Sequence, residues 1–172
     1  MTKNREAMKI QAKLILFMMA MSLAVCGCST LTSAERAARD AKTAQAVEKA
    51  LAERRYRVEI SMMNPRRGNA VNVSSDFSLE VKGDTLVSYL PYFGRAYNVP
   101  YGGGKGLNFT APISEYHSAK GRNGATLITM KAVNEEDIYL FRLEIFSNGS
   151  TFINLTARER EPISYSGQMD VE

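Results

Sequence analysis

Strong metal ligands and thiols are scarce in this chain. Among 172 residues there is one histidine, His117, and there are two cysteines, Cys26 and Cys28, both near the N-terminus. A multi-histidine metal centre is excluded, and zinc sets built on cysteine need ligands that the chain beyond residue 28 does not hold. A disulfide between the two cysteines closes over a single intervening residue and would be badly strained. A catalytic triad through His117 needs an orienting acid and a nucleophile that only the fold can bring to it, and the nearness of Ser114, Glu115 and Ser118 in sequence says little. We expect no catalytic residue, no metal and no cofactor, with His117 a loop histidine in contact with solvent. A carboxylate-only calcium site at Asn134 to Asp137 is the remaining metal reading, but its spacing is not that of an EF-hand loop.

A persistent basic excess is also missing. The formal charge is +4, yet four of the 22 basic and one of the 18 acidic residues precede Cys28, which leaves 18 against 17. Nucleic-acid binding loses its main support, because it calls for clustered Lys and Arg. Long apolar runs are absent too. Leu14 to Val25 follows Lys3, Arg5, Lys9 and Lys13, is too short to span a bilayer and ends in small residues, which is the pattern of a secretory signal peptide.

Val25-Cys26-Gly27-Cys28 resembles the bacterial lipobox. Gly27 is the small residue wanted before the cut, whereas Val25 before Cys26 is bulky, so Cys28 is expected to become the lipidated first residue. Two acyl chains anchor stably, at about 0.8 kcal/mol per buried methylene. By resemblance to known sorting signals, the lack of an Asp after Cys28 and of an acidic run in Ser29 to Ser33 implies the outer membrane, facing the periplasm.

Three segments result: a signal peptide over 1–27, a lipidated N-terminus and helical stalk over 28–55, and an antiparallel β domain over 56–172. Thr32 or Ser33 can cap a helix beginning near Ala34, whose narrow apolar face is Ala37, Ala41, Ala44, Val47 and Leu51. Arg54, Arg55 and Arg57 suit the helix macrodipole at its end. The period then becomes two. Val58, Ile60 and Met62 alternate with polar residues, Val71 and Val73 share a side, and Phe77, Leu79 and Val81 lead to the hairpin turn Lys82-Gly83-Asp84. Thr85 to Leu90, Leu107 to Ala111, Ala125 to Val133 with Leu127 inward, Tyr139 to Ile145, and Thr151 to Ala157 read as further strands. Arg158 to Glu161 reads as a charged exit. Short strands with frequent turns and no alternating helices argue for an antiparallel barrel or sandwich.

Between two of these strands lies the most distinctive stretch, Tyr89 to Tyr101. Pro91, Gly94 and Pro100 forbid a central strand, yet the stretch carries Tyr89, Tyr92, Phe93, Tyr97 and Tyr101 with Arg95 among them. Such rings either plug the β structure, with Arg95 stacked on Tyr92 or Tyr97, or form a recognition surface. The glycine run that follows, Gly102 to Gly106, is not a phosphate loop, since no Ser or Thr follows Lys105.

Val81-Lys82-Gly83-Asp84, Tyr89-Leu90-Pro91-Tyr92-Phe93-Gly94-Arg95-Ala96, Phe109, Asn148-Gly149 and Ile163-Ser164-Tyr165-Ser166-Gly167 together resemble the family called domain of unknown function 4251. The resemblance covers roughly residues 45 to 168. It implies a bacterial secreted or lipoprotein chain with a small antiparallel β-barrel or half-barrel of lipocalin-like topology. It brings no catalytic or binding residue, because the family has no assigned activity. The expectation is a non-enzymatic lipoprotein. It meets the membrane through its anchor and binds a small ligand or an envelope partner, or else it is a structural protein whose aromatic loop is a plug; a hydrolase comes third.

Asp84-Thr85-Leu86 resembles the acidic-hydroxyl-aliphatic motif that some Gram-negative bacteria O-glycosylate, which makes Thr85 a modification candidate at a turn. Labelled palmitate is expected to incorporate into the Cys26→Ala chain and not into Cys28→Ala. Label persisting in Cys28→Ala would move the anchor, and an intact mass equal to peptide plus lipid would remove the glycan at Thr85.

Overall fold

The computed structural model describes residues 32–74, 76–97 and 106–171. Contacts divide the chain into a unit ending at Arg36 and a compact unit from Ala37 onward. Cys26 and Cys28, and Tyr101 of the aromatic stretch, lie outside the described residues.

One helix and nine strands follow in order: α1 (Ser33–Ala52), β1 (Arg55–Pro65), β2 (Val71–Asn72), β3 (Ser78–Lys82), β4 (Thr85–Leu90), β5 (Leu107–Lys120), β6 (Thr126–Val133), β7 (Ile138–Ile145), β8 (Ser150–Ala157) and β9 (Ile163–Asp170). Thr32 caps α1 through a reciprocal pair. Its hydroxyl accepts from the Glu35 N–H at 3.3 Å, and the Glu35 carboxylate accepts from the Thr32 N–H at 2.8 Å. Val47 is buried in the core, with Ala50 and Leu51 packed against it, so the second half of α1 rests on the β structure.

Arg54 makes the turn out of the helix at a φ of 50°, and its carbonyl accepts from the Gly83 N–H at 2.8 Å. A general attraction to the helix dipole understates what it does. Its guanidinium pairs with Asp84 at 3.1 Å and stands 4.4 Å over the Tyr116 ring, tying the helix end to the β3–β4 hairpin and to β5.

Every strand pairs antiparallel, and β1 pairs with β9, so β1 and β3 to β9 close an eight-stranded up-and-down barrel while β2 adds a two-residue edge to β1. This is the lipocalin-like order of consecutive strands, here with an interior filled by side chains. Tyr139, Phe141, Tyr165, Ile60, Leu79, Leu143 and Ile153 are among those fully buried, as suits a barrel of eight strands. One end, where β1 starts and β5 stops, meets the helix. The opposite end carries Leu90, Leu107, Val133, Ile138 and Ile163.

Four sequence-based assignments change. A bulge between Ile60 and Met62 shifts the phase of β1, so that Met63 rather than Met62 is buried. Leu127 points outward and is 43 % exposed, because Ile128, Met130 and Ala132 set the inward phase of β6. Val71 is exposed while Val73 packs on the core. The strand expected over Leu107 to Ala111 runs through Pro112 to Lys120, so His117 is an exposed strand residue opposite Thr129 rather than a loop residue.

The barrel closes where β9 crosses the β1 bulge. There Gly167 faces Ile60, and a β-carbon on it would collide with the Glu59 carbonyl. Gly167→Ala is expected to lower stability by at least about 1–3 kcal/mol, the usual cost of forcing atoms into packed backbone. A urea midpoint equal to that of the wild type would show that the closure is looser than this.

Candidate functional site

The aromatic loop leaves β4 beside β5, which in the ring of eight strands is diametrically opposite the β8–β9 connection. Residues 91–97 reach that connection across the barrel mouth, and Ala96 forms a bridge with Arg160. Backbone groups pin the crossing. The Tyr97 N–H donates to the Glu159 carbonyl at 2.7 Å, and the Glu161 N–H donates to the Arg95 carbonyl at 3.0 Å. At the near side the Tyr165 hydroxyl, rising from the core, donates to the Pro91 carbonyl at 2.8 Å.

Tyr92 folds under the loop and is partly buried. Its hydroxyl donates to the Arg95 carbonyl at 2.8 Å and lies 3.3 Å from the Glu161 carbonyl. Gly94 makes this possible, since a β-carbon there would sit 2.7 Å from that hydroxyl. Phe93 and Tyr97 point the other way, at 66 % and 65 % exposed. Tyr89 stacks on Phe77 at 5.2 Å on the outer wall, and the Arg95 side chain is exposed.

The cation over Tyr92 is therefore not Arg95. Arg160 holds that place, its guanidinium carbon 5.5 Å from the ring centroid, and it also approaches Glu136 at 3.6 Å. The charged exit after β8 proves to be interior in its second half: Arg158 is exposed, but Arg160 is 8 % exposed and Glu161 7 %. Glu161 accepts from the Arg95 N–H at 3.3 Å and pairs with Arg67 at 3.7 Å. Arg160 Nε has no hydrogen-bond partner among the described residues.

Asp137, in the acidic turn, is buried and serves the backbone. Its carboxylate accepts from the N–H groups of Ile138 at 2.7 Å, Arg158 at 3.0 Å and Glu159 at 3.2 Å. The turn thus holds the segment on which the loop is seated. Among the described residues no group of three metal-ligating side chains comes together.

Burial pushes the Tyr165 phenol far above its ordinary range, with the Tyr92 phenol adding to the shift, and it raises Tyr92 and Tyr139 as well. All three act as neutral hydrogen-bonding or packing groups at neutral pH. At the same barrel end a cleft of about 430 Å³ opens beside Phe109, Pro112, Asn134 and Glu136, of a size that admits a small ligand. Thr85, the modification candidate, begins β4 at the other end, beside an Asp84 carboxylate that remains mostly exposed despite its contact with Arg54.

Sequence reasoning placed the loop between two strands and left its partner unseen. Arg160, Glu161 and Asp137 come close to it only through the barrel's circular order, which no local pattern carries.

Phe93→Ala and Tyr97→Phe are expected to change stability by no more than about 0.5 kcal/mol, as exposed surface substitutions do. Tyr92→Phe, which removes the hydroxyl donor to the Arg95 carbonyl, should cost about 0.5–1.5 kcal/mol. Urea melts check this ordering, and a loss of several kcal/mol for Phe93→Ala would contradict the outward placement of its ring.

Comparison with known proteins agrees with the architecture. No curated protein matches the chain. A crystal structure of a DUF4251 family protein from Bacteroides eggerthii DSM 20697 superposes with a TM-score of 0.60, covering 78 % of this chain and 91 % of that one at 16 % identity, a likeness of fold alone. The family model described as "Domain of unknown function (DUF4251)" matches residues 38–169, and the chain belongs to that family.

Proposed function

We propose that the protein is a lipid-anchored, periplasm-facing outer-membrane protein that binds a small ligand or an envelope partner through the loop across its barrel mouth, without catalysing a reaction. One observation carries the reading. Phe93 and Tyr97 stand out in solvent on a loop whose backbone is hydrogen-bonded to the barrel, so the backbone part of the entropic cost of ordering them is already met before binding. Aromatic side chains held in this way are the usual anchors of recognition surfaces. Exposed Arg95 between them supplies charge for a carboxylate, sugar or peptide group. The lipid anchor at Cys28 rests on the lipobox, and the outer-membrane address on the residues that follow it.

A non-enzymatic role is favoured by the position of His117, on the outer wall of β5 away from the loop. The structural alternative draws on Tyr92 and Arg160, which seal the mouth from beneath. In this division the inner half of the loop holds the mouth shut and the outer half meets the partner.

A photo-crosslinking amino acid placed at position 93 or 97 in cells is expected to give a discrete adduct that the same group at position 127 does not. Leu127 is also exposed but lies on the barrel wall. No adduct at either loop position, or equal adducts at all three, would contradict the reading.

A further inference from the structure

The barrel wall contains a lane beside the second half of β5 that no described strand fills. Strand β5 is 14 residues long, but β4 covers only Leu107 to Pro112 of it. The last contact along that lane is the Ile113 N–H, which donates to the Asp84 carbonyl at 2.8 Å. Beyond it β5 continues to Lys120 with β6 as its one paired strand among the described residues.

The direction of its backbone groups follows from the ladder. Ser114 is the extra residue where the register shifts between Ile113 and Glu115. Past the bulge, the Gly121 N–H donates to the Ala125 carbonyl at 2.8 Å. Antiparallel hydrogen bonding alternates residue by residue, so Ala119, His117 and Glu115 direct their N–H and C=O groups to β6. Those of Tyr116, Ser118 and Lys120 face the empty lane, over about 14 Å of strand. They form an open β edge in an otherwise closed barrel.

A cleft of about 410 Å³ borders the same residues. It is lined by Tyr116, Ser118 and Lys120 on one side and by Glu48, Leu51 and Arg54 from the end of α1 and the turn after it on the other. The Lys120–Glu48 contact at 3.5 Å spans it at its outer end. An open edge beside a partly apolar cleft is the arrangement used in strand addition, in which main-chain hydrogen bonds give affinity and alternate side chains enter a pocket.

The geometry points to this lane as a docking site for an extended peptide segment of a partner protein. The segment adds as an antiparallel strand to Tyr116–Lys120, in line with β4, and directs an apolar side chain toward Leu51 and Tyr116. A lone segment is the occupant rather than a second barrel, because Glu48, Leu51 and Arg54 stand across the cleft from β5 and obstruct the approach of a whole sheet. The site lies at the opposite end of the barrel from the aromatic loop and does not depend on that loop's role.

Proline provides the test. At Ser118 it removes an N–H that faces the lane, and proline is tolerated where the N–H side of an edge is unpaired. At His117 it removes an N–H of the β6 ladder. The full-length chain in detergent is used to select from a phage-displayed library of random peptides of about seven residues. Wild type should enrich peptides of alternating pattern that bind at least about tenfold more weakly to Ser118→Pro, the effect of losing one main-chain hydrogen bond or more. Bound peptide should slow amide exchange at Tyr116, Ser118 and Lys120 and leave the ladder amides of His117 and Ala119 unchanged. Ser118→Pro should keep the wild-type melting curve, with His117→Pro destabilised. The proposal is overturned if no peptide is enriched, if enriched peptides bind both chains equally, or if Ser118→Pro unfolds as His117→Pro does. A dimer that Ser118→Pro converts to a monomer would overturn it in favour of a second copy.

Discussion

The ladder between β1 and β9 is the contact on which the rest depends. A sheet of eight strands becomes a barrel only when its first and last strands meet, and here they meet across a bulge that demands glycine at position 167. Closure sets the circular order, and the order sets what lies opposite what. It brings the β4–β5 connection face to face with the β8–β9 connection, so that a loop leaving one can be seated on the other. It also encloses Tyr139, Phe141 and Tyr165, which fill the interior and leave little room for a ligand inside. Recognition is thereby displaced to the rims and the wall.

Both ends of the barrel are occupied, by different means. At one end the apolar stripe of α1 contributes Val47 and Leu51, and Arg54 joins the helix end to the neighbouring hairpin through an ion pair and a ring contact. At the other, buried Arg160 and Glu161 lie under the loop. Burying such charges is costly unless they are paired. Here each has an opposite charge within 4 Å, at Glu136 and Arg67, and Glu161 also accepts from the loop backbone. A seat of this kind holds backbone in place without using the outward side chains, which is what frees Phe93 and Tyr97 to face solvent.

Much of the fold was legible in the sequence because the strongest signals are local. Tyr139, Phe141, Leu143 and Ile145 repeat with period two on a fully buried face, and Lys82-Gly83-Asp84 turns the chain at a positive-φ glycine. What the sequence concealed depends on more than one strand. Met62 and Leu127 are apolar residues in the wrong phase, one displaced by a bulge and the other left outside by its neighbours. Pro112 lies inside a strand, just past the expected end at Ala111. It is tolerated inside β5 because its missing N–H faces the side where β6 has not yet begun to pair, the ladder starting at Ile113. For the candidate site, the aromatic loop announced itself by composition. Arg160 and Glu161, more than 60 residues away in sequence and half a barrel away in the strand order, carry no sign in sequence that they are buried.

The central claim is that the loop across the mouth is fixed in place while Phe93 and Tyr97 remain outside. Amide hydrogen exchange at Tyr97 and Glu161 tests it directly, because these two N–H groups make the backbone bonds that seat the loop. The account predicts exchange slowed to a rate close to that of the buried β7 amides, so that both open only when the barrel does. Exchange at the rate of unstructured chain at both positions would mean that the loop is not seated, and would contradict the account.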